Sequence, residues 1–332
     1  MKLSIVILCW NDYKVIRDCL DSIYSSIRAT DFEVLVSDNG SSDGTPQRIR
    51  AEFPGVRVIE NGLNLRFSKG NNVGIRNATG DYILILNPDT IIHPGSIDRW
   101  IEFADRHPEA GAFGCRVLNS DGSYQGSARP FPTVLREFIG AIYARPLGYC
   151  SDALIADKYV RWRGETERTI DWQSGCCLLV RGELLKRLGG FDEQFSYYYE
   201  DLDLCHRVWD AGYEVRYASD VTITHLGGQS TGGNLRLAFE LDKYRNRYRY
   251  FYKYFGQVGV RRCRWNTLLW LAVRTAGYNV LDLIRPSPAI AKRLEIYRAA
   301  AVWNWEVDPV RFVENGEEPQ TVHRVPLHVS RS

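Results

Sequence analysis

The sequence predicts an α/β fold with a mostly parallel central sheet, followed by a C-terminal helical extension. Three observations carry that prediction. Over the first ninety residues, short runs of consecutive apolar residues alternate with segments whose apolar positions recur every three or four residues, as expected for doubly covered strands joined by helices. Clusters of Asn, Asp, Ser and Gly follow the apolar runs, and in such sheets ligands bind beyond the carboxyl ends of the strands. From about residue 233 the strand signals cease, and a helical pattern rich in basic and aromatic residues takes over.

The elements follow in order. "LSIVILC" (3–9) reads as a strand, and Ile16, Leu20, Ile23 and Ile27 then repeat at helical spacing. "FEVLVS" (32–37) is the second strand and ends in the turn cluster "DNGSSDGT". A helix from about Thr45 to Phe53 leads to a short strand, "VRVIE" (56–60). Ser68 is placed to cap a helix through "KGNNVGIRNA", and "YILIL" (82–86) is the next strand. Residues 111–180 mix short strands, a turn at "NSDG" and a helix near 133–145, and "DWQSGCCLLV" (171–180) reads as one buried strand. A helix from about Asp201 to Ala211, with Leu204, Val208 and Ala211 as its inward stripe, precedes strands near 213–217 and 221–224. Helices run to about Trp305, and 306–332 reads as a loose polar tail with Pro309, Pro319 and Pro326. The expected organisation is a domain over 1–232 (halves 1–117 and 118–232), a helical extension over 233–305 and the tail.

Composition narrows the class. With 332 residues, 45% apolar and 25% charged, the chain is an ordinary globular protein large enough for a sizeable core. A net charge of +2 gives no whole-molecule attraction for polyanions, and no nucleic-acid recognition module is present. The cysteines (positions 9, 19, 115, 150, 176, 177, 205 and 263) include no C-x-x-C pair, which argues against zinc and for reduced, buried thiols in a cytoplasmic protein. The N-terminal apolar run lacks a cleavage signal, and no stretch reaches the ~18 uninterrupted apolar residues of a membrane span.

Several residues can carry chemistry. Asp38 closes a strand and Asp43 lies in the turn after it; either they accept hydrogen bonds from a nucleobase or ribose, or they close the loop as Asx turns. No G-x-G-x-x-G follows the first strand, which excludes the usual dinucleotide site. In "YILILNPDTIIH", Asn87, Pro88 and Asp89 form a turn after a buried strand; alternatively Asp89 holds a divalent cation, which prefers oxygen ligands. His225 closes a later strand and qualifies as a ligand only if the fold brings it to Asp89. Glu200 and Asp201 stand at a helix start, where the dipole favours anions, and an ionised Asp201 is suited to accept a proton. Phe195, Tyr197, Tyr198 and Tyr199 are either core or a platform for a sugar ring.

Taken in order, "SIVILCWND", "VSDNGSSDGT", "NLRFSKGNNVGI", "YILILNPDT", "WQSGCCLLVR", "GGFDEQFSYYYEDLDLCHRV" and "THLGGQST" resemble the family 2 glycosyltransferases, most closely their bacterial rhamnosyltransferase-like branch, over about residues 3–255. The resemblance implies a GT-A type, Rossmann-like nucleotide-sugar-binding domain and an inverting transfer from a nucleotide-diphosphate sugar to a hydroxyl. It implies donor contacts from Asp38, Asp43, Asn71, Asn72, Gly74 and Asn87, and a Mn2+ or Mg2+ ion held by Asp89 and His225. It implies Asp201 as general base, with acceptor contacts from Trp172, Tyr199 and Glu200. Asn87 stands where the family's D-x-D motif begins with Asp, so the site is one charge short. The branch favours dTDP-L-rhamnose as donor and a saccharide or lipid-linked saccharide of the cell surface as acceptor. A UDP- or GDP-hexose donor, or a non-catalytic carbohydrate or membrane binder, are the alternatives. A sugar-1-phosphate nucleotidylyltransferase is excluded because "CWNDYKVI" lacks its Gly-rich, Arg-containing loop.

From Arg236 to Arg264 nine basic residues face two acidic ones, interleaved with Tyr and Phe and followed by "WNTLLWLAV". This composition suits an anionic membrane surface, expected to engage 236–275 at the inner face of the bacterial plasma membrane; an ordinary solvated helical face is the alternative. The sequence sets no oligomeric state.

Overall fold

A computed structural model describes residues 1–142, 159, 162–227 and 237–319. The chain divides into two compact units, Met1–Phe131 with Lys158–Gly233, and Pro132–Asp157 with Asn234–Ser332. The described residues 132–142 fall in the second unit.

The first unit opens with β1 (Leu3–Cys9), α1 (Tyr13–Ser26), β2 (Phe32–Asp38), α2 (Thr45–Glu52), β3 (Val56–Glu60), α3 (Arg66–Asn77) and β4 (Tyr82–Leu86). It continues with β5 (Thr90–Ile92), α4 (Ser96–Arg106), β6 (Ala110–Leu118) and β7 (Ala128–Arg129). After α5 (Val134–Ala141), which belongs to the second unit, come β8 (Arg168–Thr169), β9 (Trp172–Gln173), β10 (Cys177–Arg181), α6 (Gly182–Arg187), α7 (Glu200–Asp210) and β11 (Glu214–His225).

The main sheet has the order β3-β2-β1-β4-β10-β6-β11-β5, with β8 beside β11. β3, β2, β1 and β4 are parallel, and β6 and β11 share their direction; β10, β5 and β8 run opposite. Both faces are covered, which is why β1 is apolar at nearly every position. Leu3, Ile5 and Ile7 join Ile16, Leu20, Trp100 and Phe103 on one side, while Val6 joins Ile75, Leu184 and Leu204 on the other. Each such fully buried side chain contributes on the order of 1.5–3 kcal/mol.

Four expectations are corrected. α3 begins at Arg66, so Ser68 lies inside the helix, where its hydroxyl donates to the Phe195 carbonyl rather than capping. The apolar run 171–180 is two strands, β9 and β10, because the chain turns at Ser174–Cys176. The two strands near 213–224 are one, β11, whose pairing with β6 is irregular between Ala218 and Thr222. Ala211 is the exposed C-cap of α7, while Leu204 and Val208 are buried as expected.

The second unit contains α5, α8 (Leu237–Ile284), α9 (Pro288–Glu306) and α10 (Pro309–Asn315). α8 is interrupted at Gly256, which takes φ 63°, a conformation glycine adopts without strain. Side chains of Thr133, Ser287 and Asp308 cap α5, α9 and α10, the last two helices with proline in their first turn. α10 lies inside the stretch read as a loose tail; residues 320–332 are outside the described residues. Tyr244, Tyr248, Tyr250 and Phe251, which composition offered to a membrane, are buried. Tyr248 stacks on Trp303, and its hydroxyl donates to Asn304 Oδ1 at 2.5 Å. Arg236 lies outside the described residues. Seven cysteines are free and buried, and Cys150 lies outside the described residues.

Candidate active site

The site gathers at the carboxyl ends of β1, β2 and β4. Asp38 ends β2 with 1% exposure; its Oδ2 accepts from the Gly40 and Ser41 amides at 3.0 and 2.9 Å, and its Oδ1 from the Ser41 hydroxyl at 2.5 Å. Asp43 Oδ1 accepts from the Thr45 amide and hydroxyl at 3.0 and 2.6 Å, steadying the start of α2. Both carboxylates therefore shape the loop between β2 and α2 directly. On α3, Asn71 donates to the Phe67 carbonyl at 3.0 Å. Asn72 donates to the Phe191 carbonyl (2.9 Å) and Glu193 Oε1 (3.1 Å) and accepts from the Phe191 amide (2.8 Å), so it locks the "GGFDE" loop. Gly74 lets α3 lie against β1, since a Cβ there would stand 2.4 Å from Val6 Cγ1.

Asp89 and His225 are brought together by β5, which no sequence pattern announced. This three-residue strand pairs with the end of β11, Thr90 against His225, and the Leu226 amide donates to the Asp89 carbonyl. Asp89 is 2% exposed, and its Oδ1 lies 3.1 Å from His225 Nε2. That distance suits an ion pair, yet the ring presents no N–H along it, and both atoms are buried without a hydrogen-bond partner. The cause is on the other side of the ring, where His225 Nδ1 lies 2.9 Å from Gln125 Oε1. An amide oxygen can only accept, so Nδ1 carries the proton and Nε2 turns its lone pair toward the carboxylate. Gln125 is itself held, its Nε2 donating to Asn119 Oδ1 at 2.9 Å. Two lone pairs facing each other in a buried position fit a divalent cation between them. Asp12 supports the fit. Burial first, then the charges of Asp89 and Asp43, raise its carboxyl to about 6, and its Oδ2 is also buried without a partner. Among the described residues no group of three or more His, Cys, Asp or Glu is set to hold a metal.

One turn connects this pair to Asp201. The Cys176 carbonyl accepts from the Asn87 amide at 2.9 Å, while the Gly175 amide donates to Asp201 Oδ2 at 2.9 Å. The approach is close at Gly175, where a Cβ would lie 3.2 Å from Asp201 Cβ, a tight contact. The Leu202 amide donates to Asp201 Oδ1 at 2.8 Å. Burial raises the Asp201 carboxyl above its ordinary range, while these amides and the Arg129 charge pull it back. Glu200 is pushed much further up, first by burial and then by the Asp201 charge, and its Oε2 is buried without a partner. Burial thus holds both carboxyls above their ordinary range, and the charge of Asp201 adds to the rise at Glu200. Tyr198 and Tyr199 both take positive φ (65° and 71°) at the start of α7, a strain that fixes how Glu200 and Asp201 emerge. Phe195 is core at 1% exposure, and Tyr198 is 41% exposed. Trp172 pairs with Arg129 across the small β7–β9 sheet, its indole donating to the Pro130 carbonyl and its ring under the Arg129 guanidinium at 5.5 Å.

Gln125, Arg129, Gly175 and Asp12 were not singled out from the sequence. Asp12 and Gly175 lay inside quoted motifs, "SIVILCWND" and "WQSGCCLLVR", without a role of their own; Gln125 and Arg129 acquire meaning only through the pairing of β6, β7 and β9. The Gln229, Ser230 and Thr231 part of "THLGGQST" lies outside the described residues.

A sequence model of "Glycosyl transferase family 2" matches residues 4–156, and one of "Glycosyl transferase family group 2" matches 157–296. The N-acetylglucosaminyl-diphospho-decaprenol L-rhamnosyltransferase of Mycobacterium tuberculosis is 36% identical over 210 residues, 60% of this chain and 68% of that protein. Rhamnosyltransferase WbbL of Escherichia coli K12 is 29% identical over 211 residues, 60% of this chain and 76% of that protein. Among solved structures, the mannosyltransferase PcManGT of Pyrobaculum calidifontis in complex with GDP-Man and Mn2+ aligns with TM-score 0.56 and 18% identity, over 92% of this chain and 87% of that one. Staphylococcus aureus TarS 1-349 with UDP-GlcNAc aligns with TM-score 0.52 and 17% identity, over 92% and 81%. At these identities the structural likeness speaks for the fold.

Proposed function

The chain belongs to the family 2 glycosyltransferases, and we propose that it transfers L-rhamnose from dTDP-L-rhamnose, with inversion, to a lipid-linked saccharide acceptor in bacterial cell-surface polysaccharide synthesis. The observation that carries the reading is the turn Ser174–Cys176. Its Gly175 amide holds a carboxylate suited to be a base, and its Cys176 carbonyl holds the strand end that leads into the Asp89–His225 pair. The rhamnosyl donor is supported by the names of both relatives and by the motif order, and the lipid-linked acceptor by the name of the Mycobacterium tuberculosis relative.

In this reading Asp201, ionised and steadied by the Gly175 and Leu202 amides, takes the proton of the acceptor hydroxyl. The freed oxygen forms a bond to the anomeric carbon from the face opposite the diphosphate as the bond to the diphosphate oxygen breaks, through an oxocarbenium-like state. Glu200, protonated beside it, is left to donate a hydrogen bond to substrate. Asp89 and His225 would hold a divalent cation, Mn2+ being favoured by the imidazole, which when bound offsets the charge of the leaving diphosphate. Asp38 and Asp43 serve the nucleotide by shaping the β2–α2 loop, Asn72 and Gly74 by fixing α3, and Trp172 and Tyr199 flank the base on the acceptor side. We place the protein at the cytoplasmic face of the membrane, where a lipid-linked acceptor is presented.

A screen of dTDP-, UDP- and GDP-sugars, with and without Mn2+, tests this. Turnover of dTDP-L-rhamnose above the others supports it, and preference for a UDP- or GDP-hexose overturns the donor assignment.

A further inference from the structure

The second half of α8 carries an apolar stripe that nothing in the catalytic reading uses. Trp265, Leu269, Val273, Ala276, Val280 and Ile284 follow one another by four, four, three, four and four residues, and Leu283 lies beside the last. At 3.6 residues per turn they fall within an arc of about 100° and run for about 28 Å along the helix. No charged residue between Trp265 and Ile284 shares that arc, since Arg274 and Asp282 point elsewhere on the wheel. Buried stripes of this kind are normal, but this one faces outward. Trp265 is 57% exposed, Val280 55%, Leu283 86% and Ile284 76%. Trp305 of α9, 64% exposed, meets Trp265 edge-on at 6.2 Å and widens the patch.

The surrounding charge says what covers it. Residues 258–298 hold eight basic residues, with Arg261 and Arg262 at one end of the stripe and Arg285 at the other, against two acidic ones, Asp282 and Glu295. This segment is +6 in a chain of net +2, so the remainder is −4. A second copy of the segment would bring the same positive charge against it and is disfavoured. An anionic surface is attracted, and paired indoles at one end of an exposed apolar stripe are suited to a boundary between water and hydrocarbon. No helix among the described residues is long and apolar enough to cross a membrane, so the stripe fits lying in a bilayer surface rather than spanning it.

We infer that the outward face of α8 from Trp265 to Ile284 docks in the interface of an anionic lipid bilayer, with Arg261, Arg262 and Arg285 on the headgroups. The surface shares only 265–275 with the stretch 236–275 that composition suggested, because Tyr244, Tyr248, Tyr250 and Phe251 in its earlier part are buried. It stands on exposure and charge alone, independently of the transferase reading.

Vesicle co-sedimentation tests it, using phosphatidylglycerol mixed with phosphatidylcholine against phosphatidylcholine alone. The wild-type chain is expected to bind the anionic vesicles, less so as salt rises. Leu283→Glu with Ile284→Glu should lower the partition at least about tenfold with an unchanged melting temperature, as both side chains are already in water. Arg261→Gln with Arg262→Gln should reduce both the preference for phosphatidylglycerol and the salt dependence. Sugar transfer from dTDP-L-rhamnose to a polyprenyl-diphosphate-linked saccharide is followed in the same preparations: its absence alongside intact vesicle binding would count against the transferase reading and leave the docking surface standing. Absent wild-type binding, or binding unchanged by the Glu pair, overturns the inference. So does a wild-type dimer in sedimentation velocity that the Glu pair dissociates, since a second copy would then cover the stripe.

Discussion

Asp201 is held by two main-chain amides, of Gly175 and Leu202, and sits above its ordinary carboxylate range through burial. As the proposed base it works ionised, so kcat/KM should rise with pH through that elevated value, placing the acid limb above the usual carboxylate range of about 4. Arg129 lowers this value. Arg129→Gln should therefore move the acid limb to higher pH, and a pH–rate profile with an unmoved or lower limb would remove Arg129 from the account. Gln125 acts through His225 by fixing which nitrogen carries the proton. Gln125→Leu should weaken Mn2+ binding in the presence of nucleoside diphosphate by about 10–100-fold, as lost partners of ligating histidines commonly do. Calorimetry reads this without turnover, and unchanged Mn2+ affinity would contradict it.

The elements show what was legible and why. Strands β1, β2 and β4 and helices α1, α3 and α7 were readable because burial on both sheet faces makes strands continuously apolar, and helices with one buried face keep a period of 3.6. Asp38, Asp89, His225 and Asp201 were likewise visible, as chemistry-bearing residues at strand and helix ends. β5 was not, since three residues carry no periodicity and its place is set by pairing with β11. Gly175 and the break at Ser174–Cys176 were hidden because the apolar residues on both sides read as one run. Outside the site, α4 is tied to the loop after α1 by Asp98, which accepts from the amides of Arg28, Ala29 and Thr30 and the Thr30 hydroxyl. Burial alone would raise the Asp98 carboxyl; the Thr30 hydroxyl and the three amides outweigh it, and the net shift is downward. A depressed folded value means the ionised group stabilises the fold above the unfolded value of about 3.9, and that contribution is lost as pH falls through the folded one. Asp98→Ala should cost about 1–3 kcal/mol at neutral pH, and the gap between variant and wild-type melting temperatures should close in acid. A gap that persists in acid would show that the amides do not depend on the charge.

At the scale of the whole molecule, each unit has its own core. In the helical unit, Tyr248 and Asn304 are buried with 0% exposure and bonded to each other. Tyr248→Phe should cost about 1–3 kcal/mol by leaving Asn304 Oδ1 without that donor. If the units are also independent in stability, calorimetry should show the loss in one of two transitions; a single transition shifted as a whole would mean they unfold together. The transfer chemistry is assigned to the first unit alone, and there to one carboxylate. The most direct measurement is single-turnover transfer from dTDP-L-rhamnose to a polyprenyl-diphosphate-linked saccharide, compared between wild type and Asp201→Asn, with donor affinity measured in parallel. With Asp201 as the base, the variant should keep donor affinity and transfer about 10²–10⁴-fold more slowly. Undiminished transfer in the Asp201→Asn variant would contradict it.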